Sequence, residues 1–409
     1  MAGGDFYISI GKTINIIDTN FTASSAPQGS FLYAEEIDET LTLKNIQITD
    51  LPSSEFILAV TSGSFNVKDC DFENINSPLF LLADVATSIK DTTFEKISCP
   101  KTSDSFCLLK ATSSNTIKIA DSSLANLNSD VDIISLSDCI QVLLSSVTSQ
   151  NMLKLTQGNL DQIFFLNAMN TQSLNIDQSD FTQIGFSGIK TKNTNIQIQD
   201  CAFSNRLKTS RRLLSSQSMN DAKLSQPIRF IILDSSNSTL LNTSFIENSL
   251  NTLVNGGAVQ ILGSGGVHTL TDCIFEKNQA SNGGALYVKG QVSSISIINS
   301  QFDNNQASGN GGALTFADQS LLFVISLSYK FSLGVKDTLL ISQSTFSQNT
   351  ATLGGTVYLG TQALVVDSSS FIGNNAERGG AIATMSSSSN FFSFDLLTQT
   401  SHKAIHWLI

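Results

Sequence analysis

Residues 273–285 read Cys273-Ile-Phe275-Glu-Lys-Asn278-Gln-Ala280-Ser-Asn-Gly283-Gly284-Ala285, and this stretch decides the fold because it recurs. The recurring elements are a Phe, an Asn three residues later, and a Gly-Gly pair that a small residue usually follows. They return at Phe245, Asn248 and Gly256-Gly257-Ala258, at Phe302, Asn305 and Gly311-Gly312-Ala313, at Phe346, Asn349 and Gly354-Gly355, and at Phe371, Asn374 and Gly379-Gly380-Ala381. Self-similarity at such a fixed period is typical of stacked structural units.

The same unit extends, in weaker form, to the start of the chain. Ser, Thr or Cys stands two residues before the Phe (the minus-two position), and Asp or Asn three before it (the minus-three position). The Phe position is filled in order by Phe21, Ile48, Phe72, Phe94, Leu124, Val147, Phe181, Phe203, Phe245, Phe275, Phe302, Phe346 and Phe371. Twelve of these thirteen copies carry Ser, Thr or Cys at minus two, and nine carry Asp or Asn at minus three, so we interpret the repeat as genuine.

Short alternating apolar runs, such as Leu174-Asn-Ile176 and Ile196-Gln-Ile198, predict strands. Most units are too short to hold a crossover helix besides their strands and turns, and the frame of leucine-rich repeats is absent. The pattern therefore predicts an all-β fold, a right-handed parallel β-helix (solenoid) of about 13 coils. With a rise of roughly 4.8 Å per coil, it would form a rod on the order of 60 Å long.

Each repeated position has a predicted role. The Phe position forms an internal aromatic stack, minus two is an inward column of small residues, and minus three marks a bend whose side chain bonds nearby backbone. Gly-Gly-Ala allows a tight corner with positive φ. The plus-three position is apolar early in the chain, and late in the chain its Asn residues predict an amide ladder between coils. The early residues are Ile75, Ile97, Leu127 and Ile184, and the late ones are Asn248, Asn278, Asn305, Asn349 and Asn374.

We predict one solenoid over residues 1–390, with loop insertions near 206–228 and 320–336 and an atypical tail at 391–409. The first insertion holds a dense basic run, Arg206 to Arg212, and is interpreted as an exposed loop. Removing Ser320 to Lys336 restores a regular coil, so the second insertion is either an error in the gene structure or a real loop packed on the rod. Neither end of the chain reads as a solenoid cap, and we expect the chain to be a fragment of a longer one.

Composition excludes some functions. The 409 residues carry a net charge of −11 with only 14% charged residues, which argues against nucleic acid as a partner. Residues 1–6 lack the basic start and apolar run of a signal peptide. The longest apolar stretch, Leu321 to Val335, is too short to predict a transmembrane segment.

The cysteines do not decide the compartment. Cys70, Cys201 and Cys273 occupy minus-two positions, which predicts buried free thiols. Cys99 and Cys107 flank a predicted loop and could pair, whereas the register does not place Cys139.

No catalytic or cofactor-binding residue is predicted. Asp69, Asp91 and Asp121 fill the minus-three position on three consecutive coils, which makes them weak calcium candidates. Because that position is usually Asp or Asn throughout the chain, a role in the turn is favoured. His268 stands alone, and His402 and His406 lack a third metal ligand. Three sequons give candidate glycosylation sites at Asn20, Asn237 and Asn242.

The late repeats, with Phe275-x-x-Asn278 and Gly283-Gly284-Ala285-Leu286 as specimens, resemble the polymorphic outer membrane proteins of chlamydiae. They are also similar to repeats of large surface proteins of ciliate-type protists. The resemblance covers residues 245 to 385, and upstream only a looser pectin-lyase-like β-helix pattern remains. It implies an extracellular or cell-surface protein that serves adhesion or display, with surface glycans or other surface proteins as partners.

We therefore expect a non-catalytic structural or adhesive module. The alternative is a polysaccharide-binding or polysaccharide-cleaving enzyme, because β-helices include lyases and glycosidases. Such a site needs two carboxylates at working distance, or a calcium ion with a basic residue, and the sequence does not show that cluster.

Overall fold

The structure is a computed structural model. It describes residues 6–8, 11–22, 32–34, 37–51, 57–99, 106–152, 163–184, 187–204, 230–248, 255–290, 292–317, 338–360, 363–384, 392–399 and 405–407. Every regular element in these ranges is a β-strand, and the coils form a parallel β-helix. The chain divides into two compact units, Met1–Ile196 and Gln197–Ile409. The predicted insertions at 206–228 and 320–336 lie outside the described residues.

In the first unit, strands from successive coils pair in parallel. The first sheet contains Phe6–Ile8, Leu32–Ala34, Leu58–Val60, Phe80–Ala83, Phe106–Thr112, Asp132–Ser137, Phe164–Met169 and Ser187–Lys192. The second sheet contains Gly11–Thr22, Ile37–Thr49, Gly63–Lys68, Asp71–Glu73, Val85–Lys90, Thr93–Glu95, Thr116–Ala120, Ser123–Ala125, Gln141–Ser145, Thr148–Met152, Ser173–Asp177 and Asp180–Ile184. A short third sheet pairs Ser98–Cys99 with Asn128–Ser129. The strand Asn195–Gln199 contains the boundary between the units.

The second unit repeats this plan. Its first sheet contains Ile231–Asp234, Val259–Leu262, Leu286–Lys289, Leu314–Phe316, Val357–Leu359, Ile382–Thr384 and Ile405–Trp407. Its second sheet contains Ala202–Ser204, Asn237–Leu241, Ser244–Ile246, Val267–Thr271, Ile274–Glu276, Ser294–Ile298, Gln301–Asp303, Thr338–Ser342, Thr345–Ser347, Ala363–Ile372 and Phe392–Gln399. The third sheet contains Gln279–Ala280, Gln306–Ala307, Thr350–Leu353 and Asn375–Arg378. The tail at 391–409 thus contributes two strands.

Each coil turns at residues with positive φ. In the coil that begins with the strand Phe106–Thr112, these residues are Ser113, Asp121 and Asn126, with φ of 53°, 48° and 56°. Twelve of the thirteen minus-three residues assigned from the sequence adopt this conformation, from Asp18 at 54° to Ser368 at 47°, and Leu144 is the exception. Asp and Asn tolerate it better than most side chains, which explains their abundance there. The predicted bend is confirmed, although the side-chain bonds found join neighbouring coils, as from Asn45 Nδ2 to Asp18 Oδ1 at 2.6 Å.

The aromatic stack is confirmed. In the second unit, adjacent rings have centroids 4.6–5.0 Å apart and planes within 10° of parallel, and they run through Phe203, Phe245, Phe275, Phe302, Phe346 and Phe371. In the first unit, Phe72 stacks on Phe94 with centroids 5.2 Å apart. Most of these rings are among the largest fully buried side chains of the core.

One assignment to the Phe position is wrong. Leu124 pairs with Ser149, and Ser149 pairs with Phe181, so that Ser149 and not Val147 fills the Phe position. Ser146 then lies at minus three with a φ of 53°. The sequence pattern misled because Ser145 resembles a minus-two residue in the wrong register. Ser149 places a buried hydroxyl with no hydrogen-bond partner where other coils have an apolar side chain.

The minus-two side chains are buried, as predicted, and they also bond the backbone at the bend. Ser344 Oγ donates to the carbonyl of Ser342 at 2.8 Å and accepts the N–H of Ser300, from the preceding coil, at 3.1 Å. Cys273 makes the corresponding contact to the carbonyl of Thr271 at 3.3 Å. A hydroxyl or thiol therefore satisfies backbone groups that the bend would otherwise leave buried without partners.

The predicted amide ladder is also confirmed. Asn305 Nδ2 donates to Phe275 O at 2.9 Å and to Asn349 Oδ1 at 3.1 Å. Asn305 Oδ1 accepts the backbone N–H of Asn278 at 3.0 Å and the Nδ2 of Asn278 at 2.9 Å. Equivalent bonds join Asn349 to Asn374. The fully buried amide of Asn305 thus forms its hydrogen bonds with the coils on either side of it.

The geometry of the Gly-Gly-Ala corners explains why both of the first two positions are glycine. The first has positive φ, as at Gly311 with 59°. The second lies against the next coil, where a Cβ on Gly312 would be 2.1 Å from Gly355 O. The following Ala is buried in the copies at Ala285 and Ala313, which confirms its predicted inward position.

The cysteines separate into two groups. Cys99 and Cys107 form a buried disulfide with a Cα–Cα distance of 5.5 Å, the pairing that the sequence left open. Cys70, Cys139, Cys201 and Cys273 are buried and free, which confirms the prediction for the three in minus-two positions. Cys139 follows Asp138, a residue with positive φ, and therefore lies just after the bend between the first and second sheets.

We predict that Asn305→Ala lowers the free energy of unfolding by roughly 3–6 kcal/mol, because it leaves several buried groups of the adjacent coils unpaired. Urea denaturation measures the loss. The matched control is Asn375→Ala, which changes an exposed asparagine directly after Asn374, with an expected change within about 0.5 kcal/mol. Equal losses in the two variants would contradict a stabilising role for the ladder.

Candidate functional site

The three calcium candidates lie in register on consecutive coils of the first unit. Asp69, Asp91 and Asp121 are all exposed bend residues with φ of 53°, 51° and 48°. Lys90 Nζ lies 3.8 Å from Asp91 Oδ2 and 3.6 Å from Asp121 Oδ2. A lysine therefore already compensates part of this negative charge. The backbone conformation by itself explains why Asp occupies these positions, and calcium binding here stays a prediction.

The three sequons lie on strands or bends of the second sheet. Asn20, Asn237 and Asn242 are all exposed. Asn237 Oδ1 accepts the N–H of Val267 at 2.8 Å, and Asn242 Nδ2 donates to Asp200 Oδ1 at 2.6 Å. Within the described residues, the side chain of Asn20 makes no such hydrogen bond. Asn20 is thus the most available of the three to a glycosylating enzyme.

A buried pair in the second unit was not predicted. His268 is 1% exposed, and its Nδ1 lies 2.9 Å from Ser238 Oγ on the preceding coil. Burial lowers the pKa of His268 to about 4, so the ring is neutral near pH 7. Gly266 leaves room for the imidazole, since a Cβ there would be 2.9 Å from Nε2. The pair lies inside the coil, where it contributes to packing.

A polar cluster on the first sheet of the first unit was also missed. Asp132 is 9% exposed, and its carboxylate accepts the N–H of Phe164 and the Nδ2 of Asn167, both at 2.8 Å. Burial raises the pKa of Asp132, although these bonds and the charge of Lys190 act against the shift. Lys190 Nζ lies over the Phe164 ring, 5.0 Å from its centroid. Nothing in the sequence marks Asp132, because it belongs to none of the repeated positions.

Asn167 is part of a column of half-exposed polar side chains. Lys110 pairs with Ser135, Ser135 with Asn167, and Asn167 with Lys190, on four consecutive coils. Neighbouring coils are roughly 4.8 Å apart, so the two lysines are separated by about 14 Å. Lys110 Nζ lies 5.9 Å from the centroid of the Phe106 ring. The column offers hydrogen-bond donors and acceptors along the coil-stacking direction, and we take it as the candidate contact face.

The comparisons with known proteins bear on the second unit. The family model of the Chlamydia polymorphic membrane protein repeat matches residues 272–289 and 299–316. Each match begins at a minus-three residue, Asp272 or Asn299, and ends with a strand of the first sheet. The chain thus contains repeats of the polymorphic membrane protein type. The comparisons with curated proteins and with solved structures gave no match.

Two further findings concern membranes and metals. Among the described residues, no helix has the length and apolar character needed to cross a membrane. In the same part of the chain, His, Cys, Asp and Glu side chains do not come together in threes as a metal ion would require.

We predict that His268 makes stability depend on pH. Its pKa is lowered from 6.5 to about 4 in the folded protein, so the unfolded chain binds the proton more readily between these values. The stability that neutral His268 contributes is therefore present above pH 6.5 and is lost as the pH falls towards 4. The loss should reach up to about 3 kcal/mol.

Urea denaturation at several pH values checks this in the wild type and in His268→Gln, which cannot take up the proton. The difference in unfolding free energy between the two proteins should change over this pH range in favour of the variant at low pH. Parallel pH profiles would show that His268 is not responsible.

Proposed function

We propose that the chain is a non-catalytic structural or adhesive β-helix module of a cell-surface or secreted protein. The observation that carries this proposal is the match of two stacked coils to the Chlamydia polymorphic membrane protein repeat. The interior agrees with it, since Phe stacks and bonded Asn and Ser side chains fill the described core. Specific recognition would then depend on the outward side chains.

Two features support an extracellular location. The Cys99–Cys107 disulfide is of a kind that persists in oxidising compartments and is rare in the cytosol. Asn20 and Asn237 are exposed sequons, and sequons are used in secreted proteins. Both features would serve a surface module.

The contact face that we propose for a surface glycan is the column of Lys110, Ser135, Asn167 and Lys190. Lysine and serine can donate to saccharide hydroxyl or carboxylate oxygens, and a serine oxygen can also accept from hydroxyls. Asp132 holds the Asn167 amide in one orientation through the bond from Nδ2. Packing over Phe164 restrains Lys190, which reduces the conformational entropy lost on binding.

A polysaccharide-cleaving enzyme is the second candidate, and Asp132 is the observation that favours it. Its carboxyl is buried with a raised pKa, and Lys190 is close enough to influence that pKa. Raised carboxyl pKa values occur in general acids. Hydrolysis by two carboxylates would require a second acidic group at a working distance from Asp132.

We predict that the protein binds polysaccharide without cleaving it. Calorimetry with a neutral tetrasaccharide (cellotetraose) and an acidic one (tetragalacturonate), with and without calcium, measures binding, and chromatography of the same mixtures detects cleavage. Lys190→Ala should weaken binding about tenfold, the effect of losing one charge-assisted hydrogen bond. The control is Lys192→Ala at the exposed end of the same strand.

Cleavage that Asp132→Asn abolishes would establish the enzyme instead. Equal binding by Lys190→Ala and Lys192→Ala would contradict the proposed contact face but not the proposal of a surface module. Labelling of intact cells with an antibody against the module tests the location separately, and a signal only after permeabilisation would contradict it.

The disulfide gives a further prediction. Replacing Cys99 and Cys107 together by Ser should lower the free energy of unfolding by about 2–3 kcal/mol, as expected for a short closed loop. The matched control is Cys70→Ser, which puts the commonest minus-two residue into a buried minus-two position, with an expected loss under about 1 kcal/mol. Alkylation of protein from its native source should leave only Cys99 and Cys107 unmodified after unfolding, and labelling of all six would contradict the pairing.

A further inference from the structure

The chain contains three Asn-Gly sequences, and all three lie at the same corner of successive coils. They are Asn255-Gly256, Asn282-Gly283 and Asn310-Gly311. Asparagine is a thermolabile residue, and a following glycine has no Cβ to hinder attack on the amide or to restrict the backbone. The three pairs are thus the sequences in this chain best suited to spontaneous amide loss.

The reaction needs only water. The backbone nitrogen of the glycine attacks Cγ of the asparagine, a new N–Cγ bond forms, and the amide nitrogen leaves as ammonia. Water then opens the resulting cyclic imide at one of its two carbonyls. The product is aspartate, or isoaspartate with an extra carbon in the main chain.

The folded corner opposes the first step, because each glycine nitrogen is engaged by the next coil. Gly256 N–H donates to Asn282 O at 2.9 Å, Gly283 N–H to Asn310 O at 2.9 Å, and Gly311 N–H to Leu353 O at 2.8 Å. The nitrogen cannot turn towards Cγ while that bond exists. Reaction therefore requires the corner to open.

The three asparagine side chains differ in how firmly they are held. Asn282 Nδ2 donates to Asn255 Oδ1 at 2.9 Å, and Asn282 Oδ1 accepts the N–H of Asn310, also at 2.9 Å. These bonds form a second, shorter amide ladder. In the part of the chain that the structure describes, the side chain of Asn255 takes part through its oxygen alone. Within the described residues the side chain of Asn310 makes no hydrogen bond, because the next coil presents Leu353 at this position.

From this gradient we infer that Asn310 is a site of spontaneous deamidation, restrained by coil stacking and released when its corner opens. Asn255 follows it in reactivity, and Asn282 is the best protected. An isoaspartate at Asn310 would lengthen the main chain directly before Gly311, whose φ is 59°. It would also displace Asn310 O, which accepts a 2.7 Å bond from Thr315 Oγ1. The modified corner would then not close again, so the amount of isoaspartate would increase with each opening of the corner.

The test compares the folded protein with protein in concentrated urea, both held in mildly alkaline buffer. Peptide mapping by mass spectrometry follows each of the three sites over time. In urea the three rates should be similar. In the folded protein all should be at least about tenfold slower, since each 1.4 kcal/mol of opening free energy reduces the reactive population tenfold. In the folded protein, Asn310 should deamidate fastest, Asn255 more slowly and Asn282 slowest.

Leu353→Asn adds an amide at the position where the second ladder lacks one. It should slow the deamidation of Asn310 in the folded protein and leave the rate at Asn255 unchanged. Leu353→Ala is the matched control, because it removes the leucine without adding an amide, and it should not protect Asn310. Circular dichroism checks that both variants remain folded. Similar rates at all three sites in the folded protein, or no difference between the two Leu353 variants, would overturn the inference.

Discussion

The parallel hydrogen bonding between coils is the constraint on which the rest of the structure depends. It forces each position to repeat the backbone conformation of its neighbour one coil away, including the conformations at the bends. All thirteen minus-three residues have positive φ, although Ser146, Gln178 and Gln343 are not the residues that most favour it. The stacking therefore imposes the conformation, and the preference for Asp and Asn lowers its energetic cost.

Bends inside a stacked solenoid leave backbone groups facing the core, and the two units contain small polar side chains to satisfy them. Ser344 does so at a minus-two position, and Asn305 at a plus-three position. Each bonds the adjacent coil as well as its own or an earlier one. A single substitution in either column consequently affects several coils, which is why the interior repeats so closely.

The positions that repeat were predictable, because stacking gives them a signal that accumulates over many copies. The Phe stack, the buried minus-two cysteines and the Asn ladder were predicted from the sequence for this reason. The register failed at Ser149, where a polar residue in the Phe position and Ser145 two residues before Val147 together suggested a shifted copy. Asp132 and His268 each occur once in their role, and a single occurrence gives no repeat signal. The ladder of Asn255 and Asn282 was not predicted, because the residue before Gly-Gly is Asn in only three copies and is Leu353 and Arg378 in the other two.

Side chains that could recognise a partner lie at positions that coil stacking does not fix. Inward positions are fixed by the demands of stacking, so their side chains carry no information about a partner. In the first sheet of the first unit, by contrast, Lys110, Ser135, Asn167 and Lys190 differ in type while sharing one register position. Stacking alone does not require that sequence of side chains, and only Asn167 and Lys190 are tied to the cluster around Asp132 and Phe164. A lysine packed on an aromatic ring and an amide oriented by a buried carboxylate are arrangements that cost conformational freedom in advance. That preorganisation would reduce the entropy lost on binding, and it is the physical reason why we propose a ligand for this face.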